Sequence, residues 1–328
     1  MNSPTGLVTL AEIFAARAVI APQLGRTPVS SNRALGERTN SRASLKLELF
    51  QKTGSFKARG VLNALTALSA TERAQGVISI SAGNHAQALA WGASLMGIRS
   101  TIVMPANAVQ GKVDATRGYG GEVIQTAEDL LATCLQLQQD RRLVLVHPFD
   151  DRRIIAGAAT VGVEIVEDVP DVDVVIVGCG GGGLLSGVAA AVKQLKPSVR
   201  VIGVEPRGAN AMIQSLARGE VVRLPSVSTI ADGLAAPFAG VHTLAHIQSF
   251  VDDMVEVDDS EIVDALRFLM TRAKIVAEPA AAAAAAALLS GRAAAALLSG
   301  RVTVPDGARI VVIVSGGNVD LERLKTLL

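Results

Sequence analysis

Lys57 stands where a lysine can do chemistry. It follows Thr53-Gly54-Ser55-Phe56 and precedes Ala58-Arg59-Gly60. Residues 44–50 alternate, with Leu45, Leu47 and Leu49 on one face and Lys46 and Glu48 on the other, which is the period of a strand. Val61-Leu62-Asn63-Ala64-Leu65 then continues as a helix. A lysine at such a junction can aim its amine into a cleft. Burial there lowers its pKa and frees the amine to form an imine with an aldehyde. By residue type alone the default is a solvated lysine opening a helix, since most lysines stay in water.

Three further turns shift that balance. Ser81-Ala82-Gly83-Asn84-His85-Ala86 follows a short apolar strand at Val77–Ile80. Gly180-Gly181-Gly182-Gly183-Leu184 follows a stronger one at residues 172–177, and Ser315-Gly316-Gly317-Asn318 follows a third at Arg309–Val314. Ligand sites in open α/β sheets gather at the carboxyl ends of strands. Four such ends, spread over the chain, can converge on one ligand.

One competing pattern lies inside the glycine run. Gly178-Cys179-Gly180-Gly181-Gly182-Gly183 matches the GxGxxG dinucleotide fingerprint after a strand, and residues 200–204 form a later strand ending at Glu205, where a ribose-binding acid would stand. Both readings place a phosphate on backbone N–H groups at a helix N-terminus. A nicotinamide oxidoreductase leaves Lys57, Asn84 and Ser315 without roles.

SFKxRG, SxGNHA, GGGGL and SGGN, in this order and spacing, resemble the pyridoxal-phosphate enzymes of fold type II, specifically the threonine/serine dehydratase and serine racemase group. The resemblance covers residues 10–320. It implies an α/β fold like the tryptophan synthase β chain: two open parallel-sheet domains with the cofactor in the cleft between them. It also implies that Lys57 is the Schiff-base lysine and the base that removes the Cα proton, and that Phe56 packs on the pyridine ring. Asn84 meets the ring hydroxyl, Gly180, Gly181, Gly182, Gly183 and Leu184 cradle the phosphate, and Ser315 faces the ring nitrogen. A neutral serine there makes the ring a weaker electron sink than a carboxylate would, which favours rapid loss of a Cβ leaving group. The substrate carboxylate falls to Ser81, Ala82, Gly83, Asn84 and His85 at a loop entering a helix, with a satisfied structural histidine as the plain alternative for His85.

The chain departs from the group at several points. Racemases of this group carry a serine immediately before the motif glycine, as acid/base on the second face of the substrate. Ala82 stands there and cannot transfer a proton, which favours elimination over inversion. The group's cation site has the spacing E-x-x-x-A-x-D, which here gives Glu205, Ala209 and Ala211. The second carboxylate is missing, so a divalent cation lacks a charged oxygen it wants; Asn210 or a monovalent ion is the substitute. AGQGT becomes Ala156-Gly157-Ala158-Ala159-Thr160. Glu278-Pro279 matches a Glu-Pro pair near the cofactor, but a helix opening on proline explains it equally well.

The elements that must position these residues follow from the pattern of the whole chain. At 328 residues, with 49% hydrophobic and only 3% aromatic side chains, the length suits two domains with cores of Ala, Val, Leu and Ile. Strand-like and helix-like segments alternate throughout, as in parallel sheets covered on both faces. Residues 72–148 hold their own set of strands at Val77–Ile80, 101–104, 122–125 and 143–146, with helices at 86–96 and 127–139. They read as a small domain inserted into a large cofactor-binding domain made of 1–71 and 149–328.

A net charge of +1 argues against nucleic acid or a membrane surface as partner. The expected partners are a small amino-acid substrate and, by resemblance, a second copy in a homodimer. Two cysteines, with no basic-then-apolar leader and no spanning segment, fit a reducing cytoplasm. The chain runs only ten residues past Asn318, with no room for the regulatory domain of biosynthetic threonine dehydratases, which suggests a catabolic enzyme. One nine-residue segment, AAAALLSGR at 284–292, repeats unchanged at 293–301. Nine residues make about 2.5 helical turns, so one continuous helix would turn the two Leu pairs to opposite sides. A helix ending near Gly291 is expected, with the second copy a separate short helix or a surface extension, a tandem duplication without function.

Overall fold

β-Branched residues dominate the strands, and they bury both faces. The computed structural model describes residues 6–292 and 307–328. Among these, ten strands form two sheets. The larger sheet contains β1 (Val29–Ser31), β2 (Arg42–Leu47), β7 (Val174–Gly178), β8 (Arg200–Pro206), β9 (Asp253–Val257) and β10 (Arg309–Val314), in the order β1-β2-β10-β7-β8-β9. Only the β1–β2 pair is antiparallel. The smaller sheet contains β3 (Val77–Ile80), β4 (Ser100–Pro105), β5 (Glu122–Thr126) and β6 (Val144–Leu145), all parallel, in the order β5-β4-β3-β6.

Alternation along the strands divides the core of the larger sheet in two. Val174, Ile176 and Val312 pack with the alanine-rich Pro279–Leu289 helix on one face. Val175, Val177, Val311 and Ile313 pack with the Arg152–Asp168 and Gly183–Leu195 helices on the other. Helices on both faces are what near-continuous apolar strands require. No helix among the described residues is long and apolar enough to cross a membrane.

The structure corrects the sequence reading of 44–50. The strand ends at Leu47, and Glu48–Phe50 turns as a 3-10 helix. The face that carries Lys46 and Glu48 is buried, both being 0% exposed. Both lie in an ion network with Arg59 and Glu164, the latter from the Arg152–Asp168 helix. Alternation marks which side chains share a face, and a charged face is usually wet; paired charges can instead be buried. Other bounds moved by a few residues. The helix read at 127–139 runs Leu130–Arg141 behind the Asp129 cap, and the strand read at 143–146 is only Val144–Leu145. The first copy of the repeat ends its helix at Leu289, ahead of Gly291 at φ +76°. The second copy lies outside the described residues.

Two glycines set the position of Lys57. The Lys57–Thr66 helix presses its Gly60 against the Arg152–Asp168 helix, where a Cβ would sit 2.8 Å from the Ile154 carbonyl oxygen. A Cβ at Gly157 would sit 2.5 Å from the Arg59 carbonyl oxygen. Such distances exclude a side chain, so the backbones meet directly and the first turn of the Lys57–Thr66 helix is held close.

Candidate active site

The four loops named from sequence converge on one cavity of about 280 Å³ between the two sheets. Phe56, Lys57, Ser81, Ala82, Gly83, Asn84, His85, Gly180, Gly181, Gly182, Gly183, Leu184 and Ser315 all line it. A larger and more open groove of about 1000 Å³ beside β1 and β2 contains none of them.

Lys57 opens its helix, and its Nζ donates to the Pro148 carbonyl at 2.7 Å. Burial pushes its pKa down to about 8, against the pull of the Glu278 charge. Its ammonium has a carbonyl partner rather than a carboxylate, so nothing strongly favours the charged form. The backbone before it is tied to β10's exit: the Phe56 N–H donates to the Ser315 carbonyl at 3.1 Å, and the Gly317 N–H donates to the Gly54 carbonyl at 2.9 Å. Ser55 bridges to Gly316 across this seam.

The glycine turn follows β7. Gly182 has φ +93°, a left-handed conformation that favours glycine, and Gly183 starts a helix of 13 residues. A Cβ at Gly181 would meet the Phe149 ring at 2.4 Å, and one at Gly180 would meet the Leu234 backbone at 2.9 Å. The Thr243 hydroxyl donates to the Gly181 carbonyl at 2.8 Å and fixes the turn. The first N–H groups of any helix lack internal partners, and the dipole there favours an anion.

Asn84 begins the Asn84–Leu95 helix. Its Nδ2 donates to Glu278 Oε1 at 2.6 Å, and its Oδ1 accepts from Asn318 Nδ2 at 2.8 Å. Glu278 is 4% exposed. Burial raises its pKa to about 7; the Asn84 bond opposes that and the Asp232 charge adds to it. Lys112 joins Asp232 at the mouth of the cavity, and Arg323 reaches the same carboxylate at 3.1 Å.

His85 is buried, and burial holds its pKa well below the ordinary range, with the Lys57 charge adding. The Ser79 hydroxyl donates to the Val146 carbonyl at 2.7 Å, so it accepts from His85 Nε2 at 3.1 Å. That leaves Nδ1 as a buried acceptor with no protein partner. Ser55 Oγ and Thr53 Oγ1 are buried and unpartnered in the same way.

Glu205 and Ala209 lie elsewhere. Glu205, at the end of β8, accepts from the N–H groups of Met212 at 3.0 Å and Ile213 at 2.8 Å, seating the Ala211–Arg218 helix. Burial raises its pKa to about 8 despite those bonds. Asn210 donates to Glu256 at 2.7 Å rather than turning to Glu205. Among the described residues no group of three or more His, Cys, Asp or Glu side chains gathers to hold a metal. Ala211 supplies no second carboxylate at the motif's spacing; the one beside Glu205 is Glu256, its neighbour across β8 and β9, whose charge adds to the rise.

An aldehyde-bearing phosphate ester fits this donor set. An amine of lowered pKa, a side-chain-free glycine turn on a helix N-terminus and a buried imidazole nitrogen without a protein partner belong to residues that line one cavity. Residues 20–316 match the family model described as pyridoxal-phosphate dependent enzyme. The chain belongs to that family. It uses pyridoxal phosphate, and its fold is fold type II. It is 41% identical over 325 residues to the L-threonine ammonia-lyase of Thermotoga maritima, covering 98% of this chain and 78% of that protein. It is also 41% identical over 309 residues to a serine racemase of Oryza sativa subsp. indica, covering 93% and 89%. The solved structure of maize serine racemase matches with a TM-score of 0.91 at 40% identity, over 98% of this chain and 97% of that one. The nicotinamide reading of Gly178–Gly183 ends here, because the chain belongs to a pyridoxal-phosphate family.

Two residues of this site had no assigned role in the sequence. Glu278-Pro279 reads equally as a Glu-Pro pair near the cofactor and as a helix start, and Pro279 does open the helix. Its carboxylate makes no cap bond and turns to Asn84. Asn318 belonged to a motif but had no role; it is the partner that orients Asn84.

Proposed function

We propose that this enzyme eliminates water from a β-hydroxy amino acid, L-threonine or L-serine, and releases a 2-keto acid and ammonia. The bound pyridoxal phosphate supplies an electron sink conjugated to the substrate Cα. Lys57 takes the proton from Cα, and its pKa of about 8 leaves a useful fraction of free amine near neutral pH. The Cβ–OH bond then breaks, and the hydroxyl takes up one proton, balanced by the one Lys57 removed from Cα, and leaves as water. Hydrolysis of the C–N bond adds one water back, so the sum is amino acid to keto acid plus ammonia. The N–H groups at Ser81 to His85, on a helix N-terminus, suit the substrate carboxylate. Phe56 and the Gly180–Leu184 turn hold the cofactor's ring and phosphate, and Ser315 leaves the ring nitrogen without a carboxylate partner.

The observation that carries this reading is Ala82. It lines the cavity where the related racemases present a hydroxyl, so returning a proton to the second face has no donor at that position. The relatives include both reactions, and the residue supports elimination. Residues 72–148 as a small inserted domain, and a homodimer working in a reducing cytoplasm, complete the proposal; both cysteines are buried and free.

The test is a keto-acid assay over L- and D-β-hydroxy amino acids, with chiral analysis of the unreacted substrate, with and without magnesium. Keto acid from L-threonine or L-serine, with little D-serine formed, supports the proposal. D-serine accumulating faster than pyruvate overturns it in favour of racemisation. Turnover confined to hydroxyaspartate, phenylserine or a hydroxyectoine-derived substrate overturns the assignment of threonine and serine.

A further inference from the structure

We propose that Glu278 is a positioning residue: it fixes the Asn84 carboxamide so that an N–H, and not the carbonyl oxygen, is offered to the ring oxygen of the cofactor. The inference rests on the placement of Asn84 at that oxygen.

An asparagine amide has one acceptor end and one donor end, and its neighbours decide which way it lies. Asn318 Nδ2 donates to the Thr53 carbonyl at 2.7 Å, and a carbonyl can only accept, so this end of Asn318 is the nitrogen. The same nitrogen donates to Asn84 at 2.8 Å, which makes that atom Oδ1. Asn84 Nδ2 therefore points the other way, to Glu278 Oε1 at 2.6 Å. A carboxylate only accepts, so the two neighbours agree. One N–H of Asn84 is spent on Glu278 and one is left to donate.

The surrounding backbone is shaped to permit this chain of contacts. Glu278 sits at the cap position of the Pro279–Leu289 helix yet makes no cap bond. Its own N–H donates to the Gly316 carbonyl at 3.2 Å, and a Cβ at Gly316 would lie 2.4 Å from its Oε1. Gly54, at φ +72°, leaves room for Asn318, which a Cβ would strike. Asp232, Lys112 and Lys57 are the charged groups that act on Glu278. A buried carboxyl with one amide partner, placed against the amide it orients, is costly to keep; orienting that amide is a use for it.

The experiment strips the cofactor from the purified enzyme and titrates pyridoxal phosphate back, reading affinity and visible band. Glu278→Ala should weaken binding roughly three- to tenfold, as loss of one well-placed hydrogen bond does, and move the band. Asn84→Ala should do the same, and the double variant should be no worse than Asn84→Ala alone. Glu278→Gln, whose side-chain carbonyl can accept the same N–H, should keep most of the affinity. Gly316→Ala gives an independent route and should reproduce the spectral change. Wild-type affinity and band in Glu278→Ala, or losses that multiply in the double variant, overturn the inference. A wild type that binds cofactor but releases no keto acid defeats the dehydration proposal instead and leaves this one standing.

Discussion

Lys57 and Arg59 lie two residues apart on one helix, and each leads into a buried group of charges. Behind the helix, Arg59 donates to Glu48 at 2.8 and 2.9 Å and to Glu164 at 2.7 and 2.9 Å, while Lys46 donates to Glu164 at 2.6 Å. Two cations face two carboxylates. In front, Lys57 has a carbonyl and Glu278 has an amide. The pKa values follow the pairing. Burial alone would raise Glu164, but Arg59 and Lys46 hold it below its ordinary value, and the carboxylates raise Arg59. In the cleft burial wins, and Lys57 and Glu278 move toward about 8 and about 7. Full pairing fixes charge in the closed network; partial pairing beside a cavity leaves protons available. One short helix separates a structural cluster from a reactive one.

The comparison breaks first if Lys57 is dispensable. Lys57→Ala should lower keto-acid release by about 10³-fold or more while the urea midpoint holds or rises, since a poorly solvated amine is removed. Arg59→Ala should do the reverse of this. It leaves Glu48 and Glu164 buried without their main partner and should cost about 3–5 kcal/mol, read as a lower urea midpoint. A fully stable Arg59→Ala would show that the network is not the anchor described here.

Glu278→Gln sharpens the contrast through pH. The folded pKa of Glu278 is raised from 4.5 to about 7, so the folded state binds more protons between those values and stability falls as pH rises through them. In the cofactor-free protein Glu278→Gln should therefore be more stable than wild type above pH 7, by about 1–3 kcal/mol. The advantage should fade as pH falls toward 4.5. Denaturation midpoints at pH 5 and pH 8 check the sign. Glu164 behaves oppositely: its depressed value adds stability that is lost only as pH falls through that value. The smallest effect is expected at the cavity mouth. Lys112→Ala removes a half-exposed pair with Asp232 and should change stability by no more than about 1 kcal/mol.

The strand ends around the cavity were legible because each pairs a β-branched run with a small-residue turn. Val77–Ile80 and Arg309–Val314 have the bounds read from sequence. Lys57, Asn84 and the glycine run were legible because several motifs had to be satisfied together. The burial of Lys46 and Glu48 was not legible, because alternation reports a shared face, whereas their burial depends on Glu164, more than a hundred residues away. The role of Glu278 stayed undecided for a related reason. Glu-Pro is a complete local explanation of a helix start, and its contact with Asn84 spans 194 residues. Glu205 kept the carboxylate of a cation motif, but the next helix claims both its oxygens. Local pattern reads elements; pairing between distant charges has no local pattern.

The most direct measurement sets Lys57 against Lys46. The holoenzyme is reduced with borohydride, digested, and its peptides are mapped by mass for the pyridoxyl group. The account predicts the label on Lys57, which lines the cavity, and none on Lys46, which is fully buried and paired with Glu164. Label on Lys46 or Lys112, or none on Lys57, would contradict it.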